Sequence, residues 1–152
     1  MANSWTKEQQ AAIESNHQNL LLSAAAGSGK TAVLVGRIIA RLTDRTAPIA
    51  ADRLLVVTFT NAAAAEMRER IISALTALSE ENSEDSFLPN QLLLIKKAQI
   101  TTIDSFCIDL LRRNFVAANL PPDFRIADPT ENAVMRDEVL DEVLTEMYDD
   151  ET

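Results

Sequence analysis

The chain has 152 residues and a formal net charge of −9 at pH 7, long enough for one domain with a real core, and no apolar run reaches the ~18 residues of a membrane span. One cysteine, Cys107, cannot form an internal disulfide, which fits a reducing, cytoplasmic setting, and the stretch from Met1 to Lys7 has no apolar signal core. The charge is localised: residues 128–152 hold one Arg and ten Asp or Glu, whereas residues 1–127 balance at 13 of each sign, so the acidic total does not exclude nucleic acid, whose binding depends on the local patch.

Residues 5–15 predict a short helix, with Thr6 as N-cap and Gln9 three residues on, the spacing of a capping box. Residues 16–19 form a polar turn, in which His17 has no partner at ligand spacing and reads as a surface residue. Residues 20–23 predict a first strand, 30–42 a helix, and 43–52 a loop around Pro48. Residues 53–59, with the apolar run of Leu54, Leu55, Val56 and Val57, predict a second strand, central in a parallel sheet. A long helix follows over 61–78 with Asn61 as N-cap, and then an acidic, Ser-rich loop over 79–90 whose composition predicts mobility.

Residues 91–98 read as helical, 99–103 as a third strand, and 104–116 as a helix capped by Asp104. Cys107 on that helix reads as a buried small hydrophobe. After a break at 120–123, residues 124–127 predict a short strand. Asp128, Pro129, Thr130 and Glu131 are a strong helix start. The helix they open carries an apolar stripe of Val139, Leu140, Val143, Leu144, Met147 and Tyr148. Alternating strands and helices argue for an α/β domain with a mostly parallel sheet and flanking helices.

The chemistry is concentrated in Ala24, Ala25, Ala26, Gly27, Ser28, Gly29, Lys30 and Thr31. An apolar strand, a glycine-bearing turn and Gly-Lys-Thr opening a helix form the context of a phosphate-binding P-loop. Gly27 and Gly29 let backbone N–H groups converge on an anion. Lys30 supplies a charge for the β- and γ-phosphates, and the Thr31 hydroxyl an oxygen for Mg²⁺. Ala24 stands where the strict pattern has Gly, so this is the relaxed form. The bland alternative is a chance small-residue turn before an ordinary helix. Basic pairs at Arg68/Arg70, Lys96/Lys97 and Arg112/Arg113 read first as solvated helix faces.

Three further segments resemble the motifs of UvrD-like superfamily 1 DNA helicases. Residues 5–13 resemble the Q-motif, in which Gln9 matches the adenine reader; a glutamine amide can pair with adenine N6 and N7. Residues 57–70 resemble motif Ia, where Thr58, Phe59, Thr60 and Asn61 would touch single-stranded DNA. Phe59 is open to two readings, a base-stacking platform or a packed strand end. Residues 98–107 resemble the next DNA-contacting motif, with Thr102 and Ser105 at its hydroxyl positions. Asp104 departs from the His often found there, so no DNA contact is carried onto it. The finer wording is similar to the helicase/nuclease branch of the family, the AddA/RexA type.

That resemblance implies a RecA-like P-loop NTPase fold, ATP and Mg²⁺ as cofactors, and single- and double-stranded DNA as substrates. It also implies a far longer parent with a helicase/exonuclease role in double-strand break repair and recombination, working with a partner of the AddB/RexB type. Residues 1–127 would be the N-terminal part of the ATP-binding domain, and residues 128–152 an acidic helix leading into a further domain. No Asp-Glu pair follows an apolar strand as in a Walker B motif, and no nuclease core or arginine finger is present. An incomplete motor, inactive in hydrolysis on its own, is therefore expected, with self-pairing of the final helix as one way to cover its stripe. The alternatives are a UvrD-type repair helicase without nuclease, a small P-loop kinase, and a non-enzymatic nucleotide-binding module.

Overall fold

The computed structural model describes residues 5–15, 19–23, 25, 27–81 and 86–149. His17, Ala24 and Ala26 lie outside them. The chain divides into two compact units, residues 1–110 and 111–152.

The first unit opens with α1 (Lys7–Glu14), started by the expected capping box: the Thr6 hydroxyl accepts from the Gln9 N–H while Gln9 Oε1 accepts from the Thr6 N–H. Helix α2 (Lys30–Thr43) follows the glycine turn. Strand β1 (Leu55–Thr58) leads into α3 (Asn61–Glu81), and α4 (Phe87–Leu94) runs through a 3-10 turn into β2 (Gln99–Thr102) and α5 (Ile103–Arg113). The two strands pair in parallel, Leu55 opposite Gln99 through Thr58 opposite Thr102. A parallel pair needs a crossover, and α3 and α4 provide it. The core lies where α2 and α3 meet the sheet, around Leu42, Ala51, Ile71, Leu75 and Ile95, all at most 1% exposed. A smaller cluster of Ala12, Ile13 and Val33 with Trp5 joins α1 to α2.

Several expectations are corrected. Residues 20–23 form no strand; Leu21 is 93% exposed. A strand exists only where a ladder partner exists, and the sheet among the described residues has only β1 and β2. Nor is β1 covered on both faces, as a central parallel strand between helix layers would be: Val56 is buried while Leu55 and Val57 are exposed. The expected loop over 79–90 is partly helical, taken up by the end of α3 and the start of α4. Asn61 is the first residue of α3 rather than its cap; Thr60 caps it, its hydroxyl accepting from the Ala63 N–H at 3.1 Å. Asp104 likewise falls inside α5, and Thr102 does the capping, accepting from the Ser105 N–H at 3.2 Å.

Two polar side chains hold this unit together from inside. Gln91 is 2% exposed and donates to the carbonyls of Leu42 (2.9 Å) and Ile49 (2.8 Å) while accepting from the Ala51 N–H (2.9 Å). It staples the connection between α2 and β1. The Arg68 guanidinium donates to the carbonyls of Ala98 (3.4 Å) and Ile100 (3.1 Å).

In the second unit, residues 124–127 form no strand. Helix α6 (Pro129–Asp149) begins as the sequence predicts. Asp128 Oδ1 accepts from the N–H groups of Thr130 and Glu131, and Glu131 Oε2 accepts from the Asp128 N–H. Arg125 forks onto the Glu131 carboxylate. This pairing, aided by the Asp128 N–H, holds the Glu131 carboxyl below its usual range. No residue of α5 or α6 is buried, so Cys107 is exposed, not a core residue. Among the described residues no helix is long and apolar enough to cross a membrane.

Candidate nucleotide and nucleic-acid site

The candidate phosphate loop is built from alternating backbone handedness. Gly27 has φ +76° and Gly29 φ +83°, a region that side chains with a Cβ avoid. Between them the Ser28 N–H reaches back to the Ala25 carbonyl at 3.3 Å. Gly29 is the N-cap of α2 and carries no side chain to cap it. No side chain of Gly29 competes for the first turn of α2, where the positive end of the helix dipole favours an anion. Lys30 Nζ donates to the Ala25 carbonyl at 2.7 Å, which lays the ammonium across the turn. A Cβ built on Gly27 would meet nothing within 4 Å, so that side of the loop faces open space.

Gln9 reaches this loop from α1. Its Nε2 donates to the Ser28 carbonyl at 3.2 Å. A Cβ on Gly29 would lie 3.3 Å from the same nitrogen, so Gly29 serves both the turn and the approach of the amide. Gln9, Ser28, Gly29, Lys30 and Ala25 therefore form one cluster, and Thr31 follows as an exposed residue of α2.

These groups suit a nucleotide polyphosphate: the positive end of the α2 dipole, one ammonium and one hydroxyl. For Mg²⁺ the chain offers Thr31 as a single oxygen ligand. No group of three or more His, Cys, Asp or Glu that could hold a metal exists among the described residues. A magnesium ion that keeps waters and binds through phosphates suits such a sparse set.

The second group lies at the carboxyl ends of the two strands. Thr58 and Thr102 are register partners, so the two DNA-motif segments leave the sheet side by side. Thr58 Oγ1 donates to the Thr60 carbonyl at 2.9 Å, and Thr102 Oγ1 to Ser105 Oγ at 2.8 Å. Thr102 is buried and its hydroxyl is engaged with Ser105, whereas Ser105 and Asn61 are exposed at the starts of α5 and α3. Phe59 is 93% exposed, which removes the packed-strand-end reading. Of the basic pairs, Arg68 is spent on backbone carbonyls and Arg70 on an ion pair with Glu66.

Sequence reasoning missed Arg37, Arg41 and Gln91, which position the site without touching it. Arg37 Nη1 donates to the carbonyls of Ala12 (2.8 Å) and Ser15 (2.7 Å), and Arg41 Nη2 to Ser15 (2.7 Å). Two Arg four residues apart on one helix carry no sign of such a target; only the packing of α1 on α2 reveals it.

The chain matches known proteins along almost its whole length. The family model for the UvrD/REP helicase N-terminal domain matches residues 5–152. An ATP-dependent helicase/nuclease subunit of Clostridioides difficile (strain 630) is 56% identical over 146 residues, covering 96% of this chain and 12% of that protein. Its namesake from Thermoanaerobacter sp. (strain X514) is 56% identical over 148 residues, covering 97% and 12%. That from Desulforudis audaxviator (strain MP104C) is 54% identical over 144 residues, covering 95% and 12%. The chain therefore spans only 12% of the length of these relatives. With a match that runs through the phosphate loop and both strand ends, the chain belongs to the UvrD/REP helicase N-terminal domain family.

Proposed function

We propose that this chain is the ATP-binding N-terminal segment of an ATP-dependent DNA helicase/nuclease that works in double-strand break repair and recombination. The observation that carries the reading is the Gln9 amide seated on the Ser28 carbonyl of a left-handed glycine turn. It joins a base-reading side chain to a phosphate-binding loop. The helicase/nuclease name that the relatives carry supports the same reading.

Each residue then has a task. Lys30 places a point charge on the β- and γ-phosphates, and the N–H groups of the turn and of the first turn of α2 hold their oxygens. Thr31 would offer an oxygen to Mg²⁺, which would supply charge neutralisation at the phosphates. Gln9 reads the adenine edge. Thr58, Thr60, Asn61 and Ser105, with Thr102 behind them, hold phosphates of a single strand, and Phe59 offers a stacking face. The partners are single- and double-stranded DNA and a second protein of the AddB/RexB type. Residues 1–127 would form part of the RecA-like motor domain, with 128–152 leading toward a further domain. The sequence has no Walker B pair, so this segment binds nucleotide without turning it over at a useful rate.

Calorimetry with Mg-ADP and Mg-ATP tests the reading. Weak binding that Lys30→Ala removes is expected. Equal affinity of variant and parent would overturn the P-loop assignment.

A further inference from the structure

We infer that Arg37 is a positioning residue for base recognition: its guanidinium holds α1, and with it the Gln9 amide, against the phosphate loop. The inference rests on the reading of Gln9 as the adenine reader.

Helix α1 has eight residues, too few to persist by its own propensity. The carbonyls at its end lack helical partners; Arg37 alone takes that of Ala12 at 2.8 Å and shares that of Ser15 with Arg41, both at 2.7 Å. Gly36 makes the contact close. A Cβ there would lie 3.0 Å from Ile13 Cδ1 and 3.3 Å from the Trp5 ring. The carboxyl end of α1 is thus pinned to the helix that grows out of the phosphate loop. Its amino end meets that loop through Gln9.

The amide has one orientation. The Thr6 N–H can only donate, so it faces Oε1; the Ser28 carbonyl can only accept, so it faces Nε2. One Oε1 lone pair and one Nε2 hydrogen remain. That acceptor and donor match adenine N6 and N7 and mismatch guanine, which presents two acceptors. Arg37 touches neither base nor phosphate in this arrangement. It sets where the remaining lone pair and hydrogen sit.

The test uses the whole chain and three probes: Mg-ADP, Mg-GDP and inorganic tripolyphosphate, titrated by calorimetry, with far-UV circular dichroism as the folding control. The parent should prefer ADP over GDP by about tenfold, and Gln9→Ala should abolish that preference. Arg37→Met should lower it about as far while leaving tripolyphosphate affinity within about twofold. Arg37→Lys, which keeps the cation and one donor group, should recover part of it. Gly36→Ala, which pushes α1 away without removing charge, should copy Arg37→Met and covers the case in which that variant unfolds. Adding Arg37→Met to Gln9→Ala should change nothing further. A folded Arg37→Met or Gly36→Ala that keeps the full ADP preference overturns the inference alone. So does an equal loss for all three probes, because that is general support of the fold. A parent with no ADP preference, or one that Gln9→Ala leaves intact, overturns the reading of Gln9 itself.

Discussion

Removing the Gln91 side chain should destabilise the first unit out of proportion to its size. Gln91→Ala strips partners from three backbone groups. They differ in access to water. Leu42 and Ala51 are at most 1% exposed, so the Leu42 carbonyl and the Ala51 N–H cannot be rehydrated without opening the core. Ile49 is 40% exposed, and its carbonyl can find solvent. Two orphaned buried groups at about 1–3 kcal/mol each give about 2–6 kcal/mol, a large share of the roughly 5–15 kcal/mol typical of a domain. Gln91→Glu should be no better, because a carboxylate would face two carbonyls. Urea unfolding followed by circular dichroism reads the change as a lower midpoint at constant slope. A loss below about 1 kcal/mol would refute the argument, since it would mean that the α2–β1 connection relaxes to satisfy itself.

Phe59→Ala should weaken single-stranded DNA binding by about 1–3 kcal/mol, the worth of one stacked base, without altering its salt dependence; unchanged affinity in a fluorescence anisotropy titration would return Phe59 to an idle exposed residue. Helix α6 leaves Val139, Leu140, Val143, Leu144, Met147 and Tyr148 each at least 41% exposed, so a concentration-dependent dimer is expected. Salt should favour it by screening the acidic residues and Leu144→Glu should weaken it, whereas a strict monomer by sedimentation would contradict both. The Glu131 carboxyl is held low by Arg125 first and by the Asp128 N–H second. Its support of the α6 start is complete above the ordinary carboxylate range and fades as pH falls through the depressed value. Glu131→Gln should therefore flatten part of the acid loss of helical signal, and a parent and variant with identical acid profiles would remove Glu131 from the cap.

Much of the site is legible in the sequence because it is local. The glycine turn, the Thr6–Gln9 box and the Asp128–Glu131 start each need only a few neighbouring residues. What the sequence hides depends on partners far along the chain. Residues 20–23 have the composition of a strand, but a strand is a relation between two segments. The caps mislead for a subtler reason. Asn61 and Asp104 are favoured N-cap residue types, yet the helices use Thr60 and Thr102. An N-cap takes β-region backbone angles, so Thr102, the last residue of β2, closes the ladder and opens α5 in one step, while Thr60 caps α3 from the short bend after β1. Gln91, Arg37 and Arg68 look like surface polars, since nothing in their own neighbourhood names the carbonyls they reach.

Arg68 has a consequence for how this sheet can grow. In the parallel register the Gln99 N–H bonds to the Leu54 carbonyl, so Gln99 and Thr101 face β1 while Ala98 and Ile100 face away. On that outer rim the Ile100 N–H turns onto the Ala98 carbonyl at 3.2 Å, and the guanidinium occupies the carbonyls of both. A new strand approaching there would have to displace a charged fork before making its first bond. The other side of β1 carries no such guard from Arg68. A strand added beside β2 would therefore meet this obstacle, and one added beside β1 would not. The same fork protects β2 from the edge-to-edge aggregation that an open parallel strand invites.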